Sequence, residues 1–340
     1  MAVRAAVDAE LPPDAFAIVM ATGIVAVAAG DHRYGWIAAG LAALASLGFG
    51  LLAAALGLRL LTRGRAIAAG ARNPDVALRM FTFVAAAAVL GVIWQGRPVA
   101  VWGLSLLGLG AWLVLVPLAA RDVGSRPRAA LRDHVHGAWL LASVATSGLA
   151  TSAADLAIQA RAPALAWVGI LLWLGALVLY GAVTWLIAWR VLAAPFRPEA
   201  VTPDSWILMG GLAIAALAGA HLRDAARALG AITGLADGMG AATVLLWAVA
   251  SLWIPVLLYA EMWRVDQRAG SLHFAGVWWS AVFPLGMYAA ATAATGARMQ
   301  LPALATVSLV FFWIAFAVWT IVAVGMVHTA LLRRTPPGRA

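Results

Sequence analysis

The chain has 340 residues, 64% of them hydrophobic and only 11% charged, with a mean hydropathy of +0.93. Soluble domains carry about a quarter charged residues, so a water-soluble globule is excluded and most of the mass is expected inside a bilayer. The net charge of +9 does not point to nucleic acid, because all 23 basic residues are arginines set in short loops and tails between apolar runs, and the absence of cysteine and lysine removes disulfides, thiolate metal sites and the lysine of a nucleotide-binding loop.

Ten apolar segments follow in chain order, at residues 15–30, 36–58, 80–94, 99–120, 138–155, 164–189, 206–220, 239–260, 277–295 and 303–327. The stretch before residue 15 has no separate apolar core followed by a cleavage site, so no removable signal peptide is expected. With the amino terminus inside, the cytoplasmic loops and tails hold 17 arginines, including Arg4, Arg197, Arg268, Arg333, Arg334 and Arg339, and the outer loops hold 6. The positive-inside rule then predicts one multi-pass domain over residues 1–340 of an inner membrane, with both short tails, 1–13 and 329–340, in the cytoplasm.

The segments are of two kinds. The odd ones are about 16, 15, 18, 15 and 19 residues long and the even ones about 23, 22, 26, 22 and 25. A lipid-facing helix needs ~20 apolar residues, so the even segments suit lipid and the odd ones do not. The even segments carry 11 of the 17 tryptophans, which suits the membrane interfaces. The odd segments are built from Ala, Gly, Ser and Thr, as in FVAAAAVLG and SVATSGLATSAA, and small residues let helices approach closely. This alternation reads as five repeats of one helical hairpin: an all-α membrane protein with five inner helices around a central pore and five outer helices against lipid. Small inward side chains would leave the axis open; tight packing around a solid centre is the competing reading.

Ionisable residues are absent from the span bodies apart from Asp155 at the outer end of the fifth. That argues against a cation path, which wants rings of Asp or Glu, and against a proton relay through a buried carboxylate. All five odd helices would point their amino termini, each worth about half a positive charge, at the arginine-rich cytoplasmic mouth. Both features favour small anions as partners, with no cofactor and no metal required. In the ninth segment Pro284 removes a main-chain donor and its ring opposes the carbonyl of Ser280, which predicts a kink. The neighbouring Phe283 is then either a hydrophobic constriction that gates by dewetting or ordinary packing between helices.

PPDAFAIVMATGIVAVAA (12–29), RMFTFVAAAAVLG (79–91) and above all WWSAVFPLGMYAAAT (278–292) resemble the tellurite-resistance/dicarboxylate transporter family. That family includes plant slow anion channels, bacterial tellurite-resistance proteins and fungal malate and sulfite transporters. The resemblance covers nearly the whole ten-span region and is most specific in the ninth segment. It implies a homotrimer in which each protomer has its own pore, a phenylalanine gate at the position of Phe283, and inner helices kinked or lined at Gly23, Gly91, Gly148, Gly210 or Gly211, Pro284 and Gly286. Fewer inner helices carry proline here than the family pattern has, which implies milder kinks. The family's substrates range over nitrate, chloride, sulfite and dicarboxylates.

Two other functions compete. One is a proton-coupled exporter of a C4-dicarboxylate or oxyanion working by alternating access. The other is a membrane-embedded enzyme using His221, Asp155 or Asp237 near the outer face. His221 is expected to pair with Asp224 three residues on, at the outer vestibule. His134 and His136 read as a solvated loop rather than a metal site, Glu261 and Arg264 as an interfacial ion pair, and RGRAIAAGARNPDVALR (63–79) as a segment lying along the inner membrane surface.

Overall fold

The computed structural model describes residues 11–193, 198, 201–230, 233–267 and 276–332. The expectations for Arg4, Arg197, Arg268, Arg333, Arg334 and Arg339, and for the ends of both tails, lie outside these residues. Ten long helices account for most of the rest: α1 (Ala17–Asp31), α2 (Gly35–Gly70), α3 (Pro74–Ile93), α4 (Pro98–Gly124), α5 (Leu141–Ala160), α6 (Pro163–Ala193), α7 (Ile207–Leu229), α8 (Thr233–Gln267), α9 (Trp279–Met299) and α10 (Pro302–Leu332). Eight are long and apolar enough to cross a membrane by length and composition. The exceptions are α1, which is too short, and α9, whose Ala, Gly and Thr residues are only weakly apolar.

Local chemistry marks the helix ends. Proline opens α3, α4, α6 and α10, where its missing N–H has no helical partner to lose. The Asn73 side chain caps α3 by accepting from the Asp75 N–H at 3.2 Å. On the opposite side of the bundle, four of the five inner-to-outer turns use one left-handed residue: Arg33 (φ 62°), Arg161 (φ 50°), Gly230 (φ 68°) and Gln300 (φ 53°). Gly230 adopts this conformation without steric cost, whereas Arg33, Arg161 and Gln300 each carry a Cβ in the left-handed region.

The inner helices form a closed ring in the order α1, α3, α5, α7, α9 and back to α1. Each outer helix packs against its own inner helix and the next one round, so α2 lies over α1 and α3, α4 over α3 and α5, and α10 over α9 and α1. In the most apolar stretches of the outer helices 17–22% of residues are buried, against 67%, 89% and 78% in α3, α5 and α7. The expected split into inner and outer helices is therefore the observed one.

Two details differ from the sequence reading. The apolar windows at 80–94 and 206–220 understate α3 and α7, which are 20 and 23 residues long. Helix continues through polar turns there, over Pro74–Arg79 and His221–Leu229, which hydropathy does not see. The inner helices still span 15–23 residues and the outer ones 27–36. Second, residues 63–79 do not form one surface-lying segment. Helix α2 breaks at Arg63 (φ −135°, ψ 25°), resumes to Gly70, and gives way to α3 at Pro74.

The tryptophans on the outer helices also do more than face lipid. Trp112 on α4 donates its indole N–H to Thr146 on α5, Trp247 on α8 to Thr292 on α9, and Trp319 on α10 to Thr22 on α1, each at 2.9 Å. Trp173 on α6 donates to the Ala215 carbonyl on α7 at 2.8 Å. At the fifth such contact the direction reverses, Trp94 after α3 donating to Ser46 on α2 at 3.0 Å. Each outer helix is thus tied to the next inner helix, or for α2 to the residue just after that helix, by one indole hydrogen bond; four of these are buried or part-buried and the Trp94 contact is exposed. Trp36 and Trp185, 80% and 70% exposed, meet the interface reading most fully.

Candidate functional site

The axis of the ring holds a cavity of about 20 Å³, room for a single water. All five inner helices line it, and they do so with one repeated spacing. Ile24 and Val27 on α1, Val89 and Val92 on α3, Gly148 and Thr151 on α5, and Ile214 and Leu217 on α7 are pairs three residues apart. On α9, Met287 lines the cavity and Ala290, three residues on, lines the space above it. Residues three apart share one helix face, so each inner helix presents one stripe to the axis in two tiers.

The branched side chains in these tiers narrow the axis that small residues were expected to leave open. Most of the small residues serve the contacts between helices instead. A Cβ on Gly23 would lie 2.7 Å from Val89, one on Gly210 2.8 Å from Pro284, one on Gly211 3.1 Å from Tyr180, and one on Gly286 2.9 Å from Ile24. A Cβ on Gly91 would lie 3.9 Å from Ser152 on α5, and one on Gly148, which also lines the cavity, 2.8 Å from Ala88. Helix α9 remains helical through Pro284, which lies against the notch left by Gly210. Phe283 is fully buried, one turn before Met287 on α9, and is not among the residues that line the axial cavity.

Beyond the second tier the axis widens into a vestibule of about 680 Å³ that shares Val27, Val92 and Leu217 with the cavity as its floor. Residues later in the same helices, Asp31, His221 and Ala297, line its walls with Gln95 just beyond α3, so the inner helices run parallel toward it. Asp155 on α5 stands beside it: its two oxygens receive the His221 ring at 2.7 Å and the Gln95 amide at 2.8 Å. The expected His221–Asp224 pair therefore does not form. His221 reaches across to the neighbouring inner helix, and Asp224 lies 3.6 Å from Arg223. Asp237 is 91% exposed and pairs with Arg227, apart from His221 and Asp155. His32 contacts Ser308 on α10 at 2.8 Å, and Ser308 donates to the Ala289 carbonyl.

At the opposite mouth a polar latch that sequence reasoning missed joins neighbouring segments. Buried Asp204, in the turn before α7, accepts from the His136 ring at 2.7 Å, from the Ala138 N–H at 2.9 Å and from the Thr202 hydroxyl. His136 also lies 3.4 Å from Asp75, and Asp75 accepts from the Trp139 indole at 2.7 Å. The segments that lead into α3, α5 and α7 are thereby joined. Gly137 is required at the centre of this latch, since a Cβ there would sit 2.0 Å from the Asp204 carbonyl oxygen. His134 bonds the Ala130 carbonyl at 2.8 Å instead, and Glu261 pairs with Arg264 as the sequence suggested. Among the described residues no group of three His, Asp or Glu side chains is placed to hold a metal. Eleven described arginines belong to this end of the bundle and six to the other.

The axial tiers were the main signal left unread in the sequence. Aligning the five hairpins would have exposed the repeated three-residue pairs, which no single helix shows on its own.

Comparison with known proteins agrees with this architecture. The chain is 40% identical over 152 residues to uncharacterised membrane proteins of two Mycobacterium tuberculosis strains, CDC 1551 and H37Rv. That alignment covers 44% of this chain and 76% of each relative. A family described as voltage-dependent anion channel, SLAC1, matches residues 10–327. With a match running through all ten helices, the chain belongs to the SLAC1 family of anion channels and transporters and is a multi-pass membrane protein.

Proposed function

We propose that this protein is an anion-selective channel or facilitative transporter in which Phe283 obstructs the axis. Its substrates are small inorganic anions, sulfite- or tellurite-type oxyanions, or dicarboxylates. The observation that carries the reading is the axial stripe repeated on five parallel helices, with space for one water at its centre and an open vestibule on one side. Phe283 continues the α9 stripe one turn toward the arginine-rich mouth, where the equivalent α1 position is Met20 and the equivalent α7 position is Gly210. A buried aromatic ring at this level makes an apolar constriction that opens by a side-chain movement and closes by excluding water.

Charge supports anions. No acidic residue lines the axial cavity. Five helix amino termini, each worth about half a positive charge, face the mouth that also carries most of the arginines. That mouth is read as cytoplasmic and the membrane as the inner membrane, with both tails on the same side. We further propose that the whole chain acts as one domain in a homotrimer with a pore in each protomer. Transport rather than catalysis is its activity: His221 and Asp155 are engaged with each other, and Asp237 stands apart from both.

A second reading, a proton-coupled exporter, draws on the Asp31, Asp155 and His221 cluster around the vestibule, where protons and anions would meet. Current recordings from purified protein in planar bilayers separate the two. Under asymmetric chloride, nitrate, sulfite or malate salts, a channel gives a reversal potential that follows the anion gradient and ignores a proton gradient. A reversal potential or flux that follows the proton gradient favours the exporter, and one that follows the cation gradient sinks both.

A further inference from the structure

The bundle carries another large cavity, of about 610 Å³, that the axis does not use. It lies on the arginine-rich half of the molecule between α2 and α4, with the segment leading into α1 and helix α3 behind it. It exists because α2 packs over α1 and α3 while α4 packs over α3 and α5, which leaves the two outer helices without a substantial contact of their own. Gly110 on α4 lines the gap, and a Cβ there would meet nothing within 4 Å. The flanking side chains Leu60, Leu106, Leu107 and Val114 are each at least half exposed, so the gap opens on the surface that faces lipid.

Two features identify the occupant. The first is shape. Along α4 the lining runs from Leu106 to Leu115, about 14 Å at the helical rise, close to the ~15 Å depth of one leaflet's hydrocarbon. The floor is apolar, made by Phe16 and Phe83 in edge-to-face contact at 4.9 Å. The second is charge. Arg59 lines the cavity toward the end of α2, and its guanidinium makes no hydrogen bond or ion pair among the described residues. No acidic residue lines the cavity. Beyond the break at Arg63, the end of α2 lays Ile67 and Gly70 along the same cavity, with Arg65 and Arg72 nearby in the chain.

From this we infer a site for one anionic phospholipid of the leaflet on the arginine-rich side. Its phosphate meets Arg59 and an acyl chain fills the cleft against Phe16 and Phe83. A water-filled cleft is disfavoured by the apolar walls and by the hydrocarbon outside. A strictly apolar guest would leave the Arg59 charge unmatched at the headgroup level. The site is independent of which ion crosses the axis, and binding alone tests it.

The test is native mass spectrometry of the purified full-length protein, titrated with dioleoyl phosphatidylglycerol or dioleoyl phosphatidylcholine. The wild type is expected to bind one phosphatidylglycerol per chain about fivefold more tightly than phosphatidylcholine, the worth of one arginine at the headgroup surface. Arg59→Gln is expected to erase that preference. Gly110→Trp, whose Cβ would meet nothing within 4 Å and whose ring takes up space in the gap, is expected to weaken both lipids about tenfold, roughly two buried methylenes' worth. Equal binding of the two lipids by wild type, or unchanged binding by Gly110→Trp, overturns the proposal. So does efficient cross-linking of Gly110→Cys, the single cysteine in the chain, to a second copy in membranes, because a neighbouring protomer then covers the cleft. Should the tryptophan variant not fold, Arg59→Gln and the cross-link still decide the matter.

Discussion

The inner and outer rings are both predominantly apolar, yet they bury their residues to opposite extents. Outer helices such as α6 and α10 are rich in Leu, Ile, Val and Trp yet remain mostly exposed, while α5, built from Ala, Ser, Thr and Gly, is almost wholly buried. In water hydrophobicity decides what is inside. In a bilayer lipid tails are as apolar as leucine, so side-chain size and polar tethers decide it instead. Thin helices converge on the axis, and thick helices cover them.

That contrast can be broken at single glycines. Gly210→Val on α7 is expected to lose folded protein outright, because its first new carbon would lie 2.8–2.9 Å from the Pro284 ring and its Cα. Overpacking costs ~1–3 kcal/mol where neighbours can shift, and here the neighbour includes backbone. Gly181→Val on α6 adds a carbon that meets nothing within 4 Å, and it is expected to leave the melting temperature in detergent unchanged or slightly raised. Equal tolerance at the two positions, read by fluorescence-detected gel filtration and thermal unfolding, would dissolve the distinction between the rings.

Buried and exposed carboxylates sharpen it next. Asp204→Asn keeps the shape of the mouth latch but removes the charge that receives three donors, at an expected cost of roughly 1–3 kcal/mol. Asp237→Asn, whose partner Arg227 is half exposed, is expected to change stability by less than about 0.5 kcal/mol. Comparable losses at both sites would mean that the latch does not hold the segments before α3, α5 and α7 together.

The smallest effect lies in the tethers between the rings. A double-mutant cycle of Trp319→Phe with Thr22→Val is expected to return a coupling of about 0.6 kcal/mol, the usual worth of a hydrogen bond between membrane helices. Trp36→Phe at the exposed surface is expected to leave stability unchanged. A coupling of zero would demote the indole contacts to incidental packing.

How much of this was readable beforehand follows from what hydropathy measures. Ten spans, their alternation, and the inner position of the odd ones were legible because length and side-chain size are local properties. The direction each residue faces was not. Val89 and Leu90 look alike in sequence and both are buried, yet Val89 lines the axial cavity and Leu90 does not. The partner of His221 was misjudged for a related reason. Asp224 is the near neighbour in sequence, but the ring geometry brings Asp155 of α5 within hydrogen-bond reach from 66 residues away. The latch was invisible because its members, Asp75 at the start of α3, His136 before α5 and Asp204 before α7, lie far apart in the chain and meet only when the ring closes.

The central claim is that anions cross the bundle along the axis and that Phe283 obstructs it. Its most direct test is the anion current of Phe283→Ala against wild type at matched protein density in planar bilayers. The expected result is a several-fold larger current with anion selectivity retained, since removing the ring removes a dewetting constriction without adding charge. An unchanged current from a folded variant, or a larger current that has lost its preference for anions, would contradict it.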